Sequence, residues 1–297
     1  MEVEEEVGIA MAVSTNRQVL VETEWVAANL GSPGMVLLDV DEDTEAYGRG
    51  HLPGAQGIHW KKDLQDPVRR DFIGPAAFAG LMDRYGIGND TLVVLYGGNN
   101  NWFAAYAYWY FRYYGHGPVR LMDGGRKKWE LEKRRLTADP SPMTSTSGYR
   151  TAGPADDIRA MRQFVEEKVV GQTEHALVDV RSPQEYSGEL LEPEHLPQES
   201  AQRPGHIPAA RNIPWAKAVN AETGAFLPTP DLRALYEGQG VTPDREVVAY
   251  CRIGERSAHT WFVLHELLGY PRVRNYDGSW TEWGSLVGAP IELGTSA

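Results

Sequence analysis

Short apolar runs recur along the chain at wide intervals. MVLLDV (35–40), TLVVLYG (91–97), ALVDV (176–180) and EVVAYC (246–251) are rich in Val and Leu. Runs of this length, bounded by polar residues and lacking strict alternation, predict strands covered on both faces, as in parallel sheets. Stretches with helical spacing lie between them, among them TEWVAANL (23–30), ADDIRAMRQFVEEKV (155–169) and PDLRALYEGQ (230–239). The segment WFAAYAYWYFRYY (102–114) holds nine aromatics in thirteen positions. It predicts a helix packed on a sheet and facing a second domain, in preference to a stacking surface for a ligand. Alternating strands and helices predict an α/β fold, with mainly parallel sheets and helices on both faces.

The pattern occurs twice. VLLDV (36–40) followed by GHLPGAQGIHW (50–60) is matched by ALVDV (176–180) followed by GHIPAARNIPW (205–215). LVVLYGG (92–98) and LMDGGRKKW (121–129) are matched by EVVAYCR (246–252) and NYDGSWTEW (275–283). His51 and His206 stand 155 positions apart; Gly97 and Cys251, like Asp123 and Asp277, stand 154 apart. So constant a register implies a duplicated domain, with a period far beyond that of solenoid repeats. It predicts domains at 14–140 and 156–291. The Pro-, Ser- and Thr-rich stretch 136–148 marks the connection, and 141–155 is the expected linker. Residues 1–13 are expected to be disordered. The second half has an insertion, GELLEPEHLPQESAQR (188–203). With the first domain, it is expected to shape the entrance to a site between the halves, and Trp102 is the aromatic expected there.

Composition narrows the function. The net charge of −12 and pI of about 5.2 argue against a nucleic-acid partner. No apolar run is long enough for a membrane span, and the acidic N-terminus lacks the basic region of a secretory signal. One cysteine cannot form an internal disulfide, which predicts a cytoplasmic protein.

That cysteine, Cys251, ends a predicted strand and opens the loop CRIGER (251–256) before a predicted helix, SAHTWFVLHELL (257–268). Ser257 is the expected N-cap and Gly269 the expected stop. Ligands of open α/β sheets bind outside the carboxyl ends of strands. A tight turn there directs backbone N–H groups inward, and Gly254 permits the required backbone angle. The helix N-terminus, Arg252 and Arg256 are expected to depress the Cys251 pKa and attract a small dianion. Glu255 opposes that field unless it points outward or pairs with an arginine. The first half has Gly97 at the cysteine position, and its loop GGNNNW carries neither nucleophile nor charge. The paired His51 and His206 recur in both halves, which points to structure. His259, Trp129 and Trp283 are expected in the core. Asp179 is expected to cap a turn. No metal site is expected, including at His195 in the insertion.

From about residue 14 to 291 the chain resembles a tandem-domain rhodanese, a member of the thiosulfate sulfurtransferase family. The paired DV…GHIP-like segments, the DG…W segments and a loop cysteine confined to the second half carry the resemblance. It implies two rhodanese-like α/β domains, the first catalytically inactive and the second catalytic. It implies a ping-pong reaction in which Cys251 takes the outer sulfur of thiosulfate, releases sulfite and passes the persulfide sulfur to cyanide or a thiol, such as that of a dithiol protein. The expected substrate-binding residues are Arg252, Ile253, Gly254, Glu255 and Arg256, with Arg181 matching the family's DxR segment. No metal or organic cofactor is implied. Vertebrate members carry an arginine just before the tyrosine matching Tyr186; here that residue is Glu185, so that contact is not carried over. Mercaptopyruvate sulfurtransferases share the fold but have small, hydroxyl-rich loops, and Arg252 and Arg256 suit divalent thiosulfate better. Cysteine-based phosphatases and arsenate reductases use a loop one residue longer before the arginine. A non-catalytic binding module has no use for the CRIGER loop.

Overall fold

The computed structural model describes residues 17–191 and 200–295. The expectation of disorder at 1–13, most of the insertion and His195 fall outside those residues.

The first sheet comprises β1 (Leu20–Val21), β2 (Met35–Asp39), β3 (Gln56–Gly57), β4 (Leu92–Tyr96) and β5 (Val119–Met122). The second comprises β6 (Arg159–Ala160), β7 (His175–Asp179), β8 (Arg211–Asn212), β9 (Glu246–Tyr250) and β10 (Val273–Tyr276). The spatial orders are β1-β5-β4-β2-β3 and β6-β10-β9-β7-β8, the same topology twice. All these pairings are parallel; Leu38 faces Leu95 in one sheet and Val178 faces Ala249 in the other. The four apolar runs named above are the long central strands β2, β4, β7 and β9. The two-residue edge strands carry too few residues to stand out as runs.

One expected helix is divided. Residues 155–169 form a short 3-10 turn (Asp156–Ile158), then β6, then helical turns from Arg162 to Val169. Arg159 and Ala160 pair with Asn275 and Tyr276, so the sheet edge claims two residues whose spacing also suits a helix. The first half does the same: the turn Arg17–Val19 and β1 precede the helix Thr23–Asn29.

Period-two alternation sorts the strands onto two faces. In β4, Val93 and Leu95 face one core while Val94 and Tyr96 face another. In β9, Val247 and Ala249 share the first of these cores, and Cys251 continues their row; Val248 and Tyr250 lie on the opposite face. The common core therefore joins the inner faces of both sheets. Its centre is the aromatic helix Trp102–Tyr113, apolar on nearly every side and buried accordingly. It packs against the helical segment following Cys251, Glu255–Trp261 and its wider continuation Phe262–Leu267, with Tyr108 edge-on to Phe262 at 4.8 Å. Helices with Trp129 and Trp283 cover the outer faces, and both indoles are buried. Polar contacts also join the halves. Arg159 bridges Asp71 and Asp277, and Arg112 lies 3.3 Å from Glu266. The segment 140–155 has no helix or strand; the Asp83 carboxylate accepts the Gly148 and Tyr149 N–H groups.

Candidate active site

β9 delivers Cys251 to the inner face between the halves, where its side chain is fully buried. The turn that follows is held from behind. The Cys251 carbonyl accepts from Trp280 N–H at 3.0 Å and the Arg252 carbonyl from Thr281 N–H at 2.9 Å. The Ile253 carbonyl accepts from the Arg70 guanidinium at 2.9 Å, and the Gly254 carbonyl from Asn275 Nδ2 at 2.7 Å. With four successive carbonyls drawn outward, the amides turn inward, and Gly254 N–H donates to Cys251 Sγ at 3.2 Å. Gly254 has φ +94°, and a Cβ there would come within 2.9 Å of the Asp277 carbonyl oxygen; only glycine closes this turn. Ser279 anchors the start of the loop, its hydroxyl accepting from Cys251 N–H at 3.1 Å and donating to the Tyr276 carbonyl at 2.6 Å.

The helix begins at Glu255 with Gly254 in the cap position, two residues earlier than expected. Ser257 is buried inside it and is not the N-cap, because the left-handed Gly254 lets the chain turn sooner.

The charges also differ from the sequence reading. Arg256 is buried and faces Glu185, with the two terminal guanidinium nitrogens each 2.9 Å from one carboxylate oxygen. Glu185 also closes a capping box with Ser182, accepting from Ser182 N–H at 3.0 Å. Burial pushes Glu185 up, but Arg256 and the Ser182 N–H outweigh it and bring its pKa to about 2. Glu255 points inward: the Cys251 thiol donates to Glu255 Oε2 at 3.5 Å, while Arg252 NH2 lies 3.7 Å from Glu255 Oε1. The expected depression of the Cys251 pKa is therefore reversed. Burial raises it, Glu255 raises it further, and the opposing pull of Arg256 and Ser257 is insufficient. The resting group is a buried thiol, closed over by its own loop.

Arg181 is nearly inaccessible. Its guanidinium donates to Asp179 (NH2 at 2.5 Å) and to the Gly205 carbonyl (2.7 Å), and lies 4.6 Å from the Trp280 ring centroid. His51 and His206 make equivalent contacts: each Nδ1 meets the backbone carbonyl of a tyrosine, Tyr47 or Tyr186, whose ring stacks on the imidazole. His259 stacks on Phe226, and burial lowers its pKa to about 3. From the first half, Trp102 lies 5.8 Å below the Arg256 guanidinium and 5.6 Å from Trp215. The end of the insertion packs on the outer side, where the Arg203 carbonyl accepts from the Trp280 indole.

Four contributors escaped the sequence reading. Glu185 stood out there only as a departure from the vertebrate pattern. Ser279 could have been found, because it replaces Gly125 of the first half in an otherwise matching segment. Arg70 and Asn275 left no signal: one comes from the other half and the other from a strand end.

Among the described residues no cluster of potential metal ligands occurs, and no helix is long and apolar enough to cross a membrane. The model of the rhodanese-like domain matches residues 22–132 and 162–286. The chain is 57% identical over 277 residues to a protein of Mycolicibacterium smegmatis named "Putative thiosulfate sulfurtransferase", covering 93% of this chain and 98% of that one. It is 57% identical over 279 residues to the "Sulfur carrier protein TtuD" of Thermus thermophilus, covering 93% and 97%. Among solved structures, the anaerobic ergothioneine biosynthesis enzyme of Chlorobium limicola, in complex with trimethyl histidine, superposes with a TM-score of 0.79 at 23% identity, covering 94% of this chain and 71% of that one. That likeness concerns the fold.

Proposed function

Because the chain belongs to the rhodanese family, we propose that it is a sulfurtransferase that moves the outer sulfur of thiosulfate to a thiophilic acceptor through a persulfide on Cys251. The observation that carries this reading is the loop 251–254, whose carbonyls are all tied outward while an inward N–H reaches the sulfur. An N–H donor at the sulfur suits a persulfide, whose terminal sulfur carries the negative charge, as an oxyanion hole suits a developing alkoxide. The names of the relatives support sulfur chemistry in general.

Thiosulfate is a dianion, and Arg252 and Arg256 are the cations of the loop. Its outer sulfur bonds to Cys251 Sγ, the donor's S–S bond breaks, and sulfite leaves with the electron pair. The persulfide is then attacked at its outer sulfur by cyanide or a thiol, and Cys251 is restored. Arg256 binds the donor once its pairing with Glu185 loosens; Arg181 acts behind the loop by holding the end of β7. The second half is the catalytic one, and the first serves as a wall. Because Cys251, Glu255 and Arg256 are all buried, side chains above the sulfur must move before a donor enters. The acceptor is a thiol, such as that of a dithiol protein, or cyanide, and the lone cysteine suits a reducing, cytoplasmic compartment.

The test is thiocyanate formation from cyanide with thiosulfate or 3-mercaptopyruvate as donor. Activity with thiosulfate that disappears in Cys251→Ser, with the circular dichroism spectrum retained, is the expected result. Activity surviving in that variant overturns the persulfide mechanism. A preference for mercaptopyruvate overturns the donor assignment alone.

A further inference from the structure

The Cys251 thiol donates its hydrogen to a carboxylate oxygen of Glu255, a side chain that is itself almost wholly buried. Cysteines at the start of such turns are ordinarily activated by positive charge. Here the closest charged group is negative, and the cation expected to compensate, Arg256, is held by Glu185.

The other charged groups do not take over this role. Arg252 reaches the far oxygen of Glu255 and leaves Oε2 facing the sulfur. The Arg70 guanidinium is on the Ile253 carbonyl, behind the loop. Asp277 presents its main chain to Gly254 and its carboxylate to Arg159. His259, one turn along the helix, stays neutral. Ser257 and the Trp102 ring complete the surroundings and carry no charge.

We propose that Glu255 is a catalytic residue that receives the Cys251 proton as the sulfur attacks and delivers it to the departing sulfite. The proposal rests on the sulfurtransferase reading and adds the proton path. The S–H bond breaks and the proton moves to Glu255 Oε2. The sulfur's electron pair forms the bond to the donor's outer sulfur, and the donor's S–S bond breaks towards sulfite. Protonated Glu255 then gives its proton to sulfite. The sum is thiol plus thiosulfate dianion giving persulfide anion plus hydrogen sulfite, with two negative charges on each side. Once the proton has moved, the carboxylate beside the sulfur is neutral while the second anion, sulfite, forms and leaves. This resolves the conflict of a glutamate in an anion-binding loop. The second half-reaction has no thiol proton to remove: cyanide takes the outer sulfur and leaves a Cys251 thiolate, which regains its proton from solvent, and Glu255 is not needed.

The experiment uses the full chain, wild type and Glu255→Gln. Cys251 is the sole cysteine, so thiolate absorbance near 240 nm, with Cys251→Ser as the blank, follows that group alone. Pre-steady-state sulfite release from thiosulfate reports the first half-reaction. Thiocyanate release from enzyme loaded with polysulfide sulfur reports the second. In Glu255→Gln the thiolate midpoint falls, because a repelling carboxylate is gone. Sulfite release at neutral pH nevertheless slows by about 100-fold, the low end for loss of an acid–base group, while thiocyanate release stays within a few-fold of wild type. Sulfite release that is unchanged or faster overturns the proposal and leaves Glu255 as a mere opposing charge. So does an unmoved midpoint, or equal slowing of both half-reactions, which marks a structural role. Failure of the sulfurtransferase reading is seen separately, as wild-type enzyme that releases no sulfite.

Discussion

At the end of β4, Gly97 N–H donates to Asn101 Oδ1 at 3.0 Å, and the Asn101 amide donates to the Met122 carbonyl. At the end of β9, Cys251 N–H donates to the Ser279 hydroxyl, which donates to the Tyr276 carbonyl. The two halves thus anchor the same turn to the same neighbouring strand with different side chains. They differ in what the turn's amides face. In the first half Asp41 sits two residues beyond the strand's Asp39, and its carboxylate accepts Gly98 N–H. In the second half the matching residue is Arg181, which turns away to Asp179 and leaves an amide of the loop to the sulfur.

The arginine is not lost from the first half; it comes from elsewhere. Arg126 reaches Asp39 (2.5 Å), Asp41 (3.0 Å) and the Gly50 carbonyl. Its counterpart in the second half is Trp280, which stacks on Arg181. Where the first half has an aspartate whose carboxylate takes an amide of the turn, the second has an arginine that turns away, and an amide there meets the cysteine sulfur instead. The same scaffold of hydrogen bonds therefore accommodates two different occupants of the turn, a carboxylate in one half and a thiol in the other.

Moving the nucleophile from one half to the other should have the largest effect. Gly97→Cys in a Cys251→Ser background is expected to restore no thiocyanate formation. A Cβ at Gly97 meets the Val40 carbonyl oxygen at 2.2 Å, and Asp41 already occupies the adjacent amide. The variant should also melt several degrees lower; measurable turnover would show that the first half is only one residue from activity.

Arg126→Met and Arg181→Met form a matched pair. Each leaves buried carboxylate without its partner, a change that costs about 3–5 kcal/mol in such pairs. Chemical denaturation should show similar losses for both. Arg126→Met should leave kcat for thiosulfate unchanged at a temperature where it stays folded. Arg181→Met should change KM only slightly, and a tenfold rise would instead place its guanidinium on the donor.

Glu185→Gln sharpens the contrast through pH. The Glu185 pKa is depressed in the folded protein, so its stabilisation is complete above the ordinary carboxylate range and is lost as pH falls towards about 2. Unfolding free energies of wild type and Glu185→Gln should converge by about 3 kcal/mol between pH 5 and pH 2, from the size of that shift. A constant difference across this range would mean that Arg256 is not its partner in solution.

The smallest effect is expected at the wall supplied by the first half. Trp102→Phe should raise KM for thiosulfate two- to fivefold with little change in kcat, an order-of-magnitude expectation for a trimmed contact. An unchanged KM would remove Trp102 from the entrance.

Much of this was legible in the chain itself. The four Val- and Leu-rich runs became the central strands because burial on both faces leaves few alternatives for such runs. The constant spacing of His51 with His206 and Gly97 with Cys251 disclosed the duplication. Cysteine, glycine and arginine between a strand and a helix marked the loop. The divided helix at 155–169 was not legible, since two residues paired to Asn275 and Tyr276 carry no periodicity of their own. Ser257 looked like a cap because it is a serine before an apolar run, yet the turn is closed three residues earlier by Gly254.

The amino-acid sequence by itself determined the fold class, the duplication and the position of the one candidate nucleophile, because these depend on patterning and spacing along the chain. The tertiary structure alone decided the electrostatics of that nucleophile. Arg256 and Glu185 are 71 positions apart, and Arg70 and the loop carbonyl it holds are 183 apart. A charge acts through distance and dielectric, and neither can be read from residue order. The same arginines that on paper activate Cys251 are committed to partners in the folded chain, and the glutamate that on paper is out of place is the group the thiol touches.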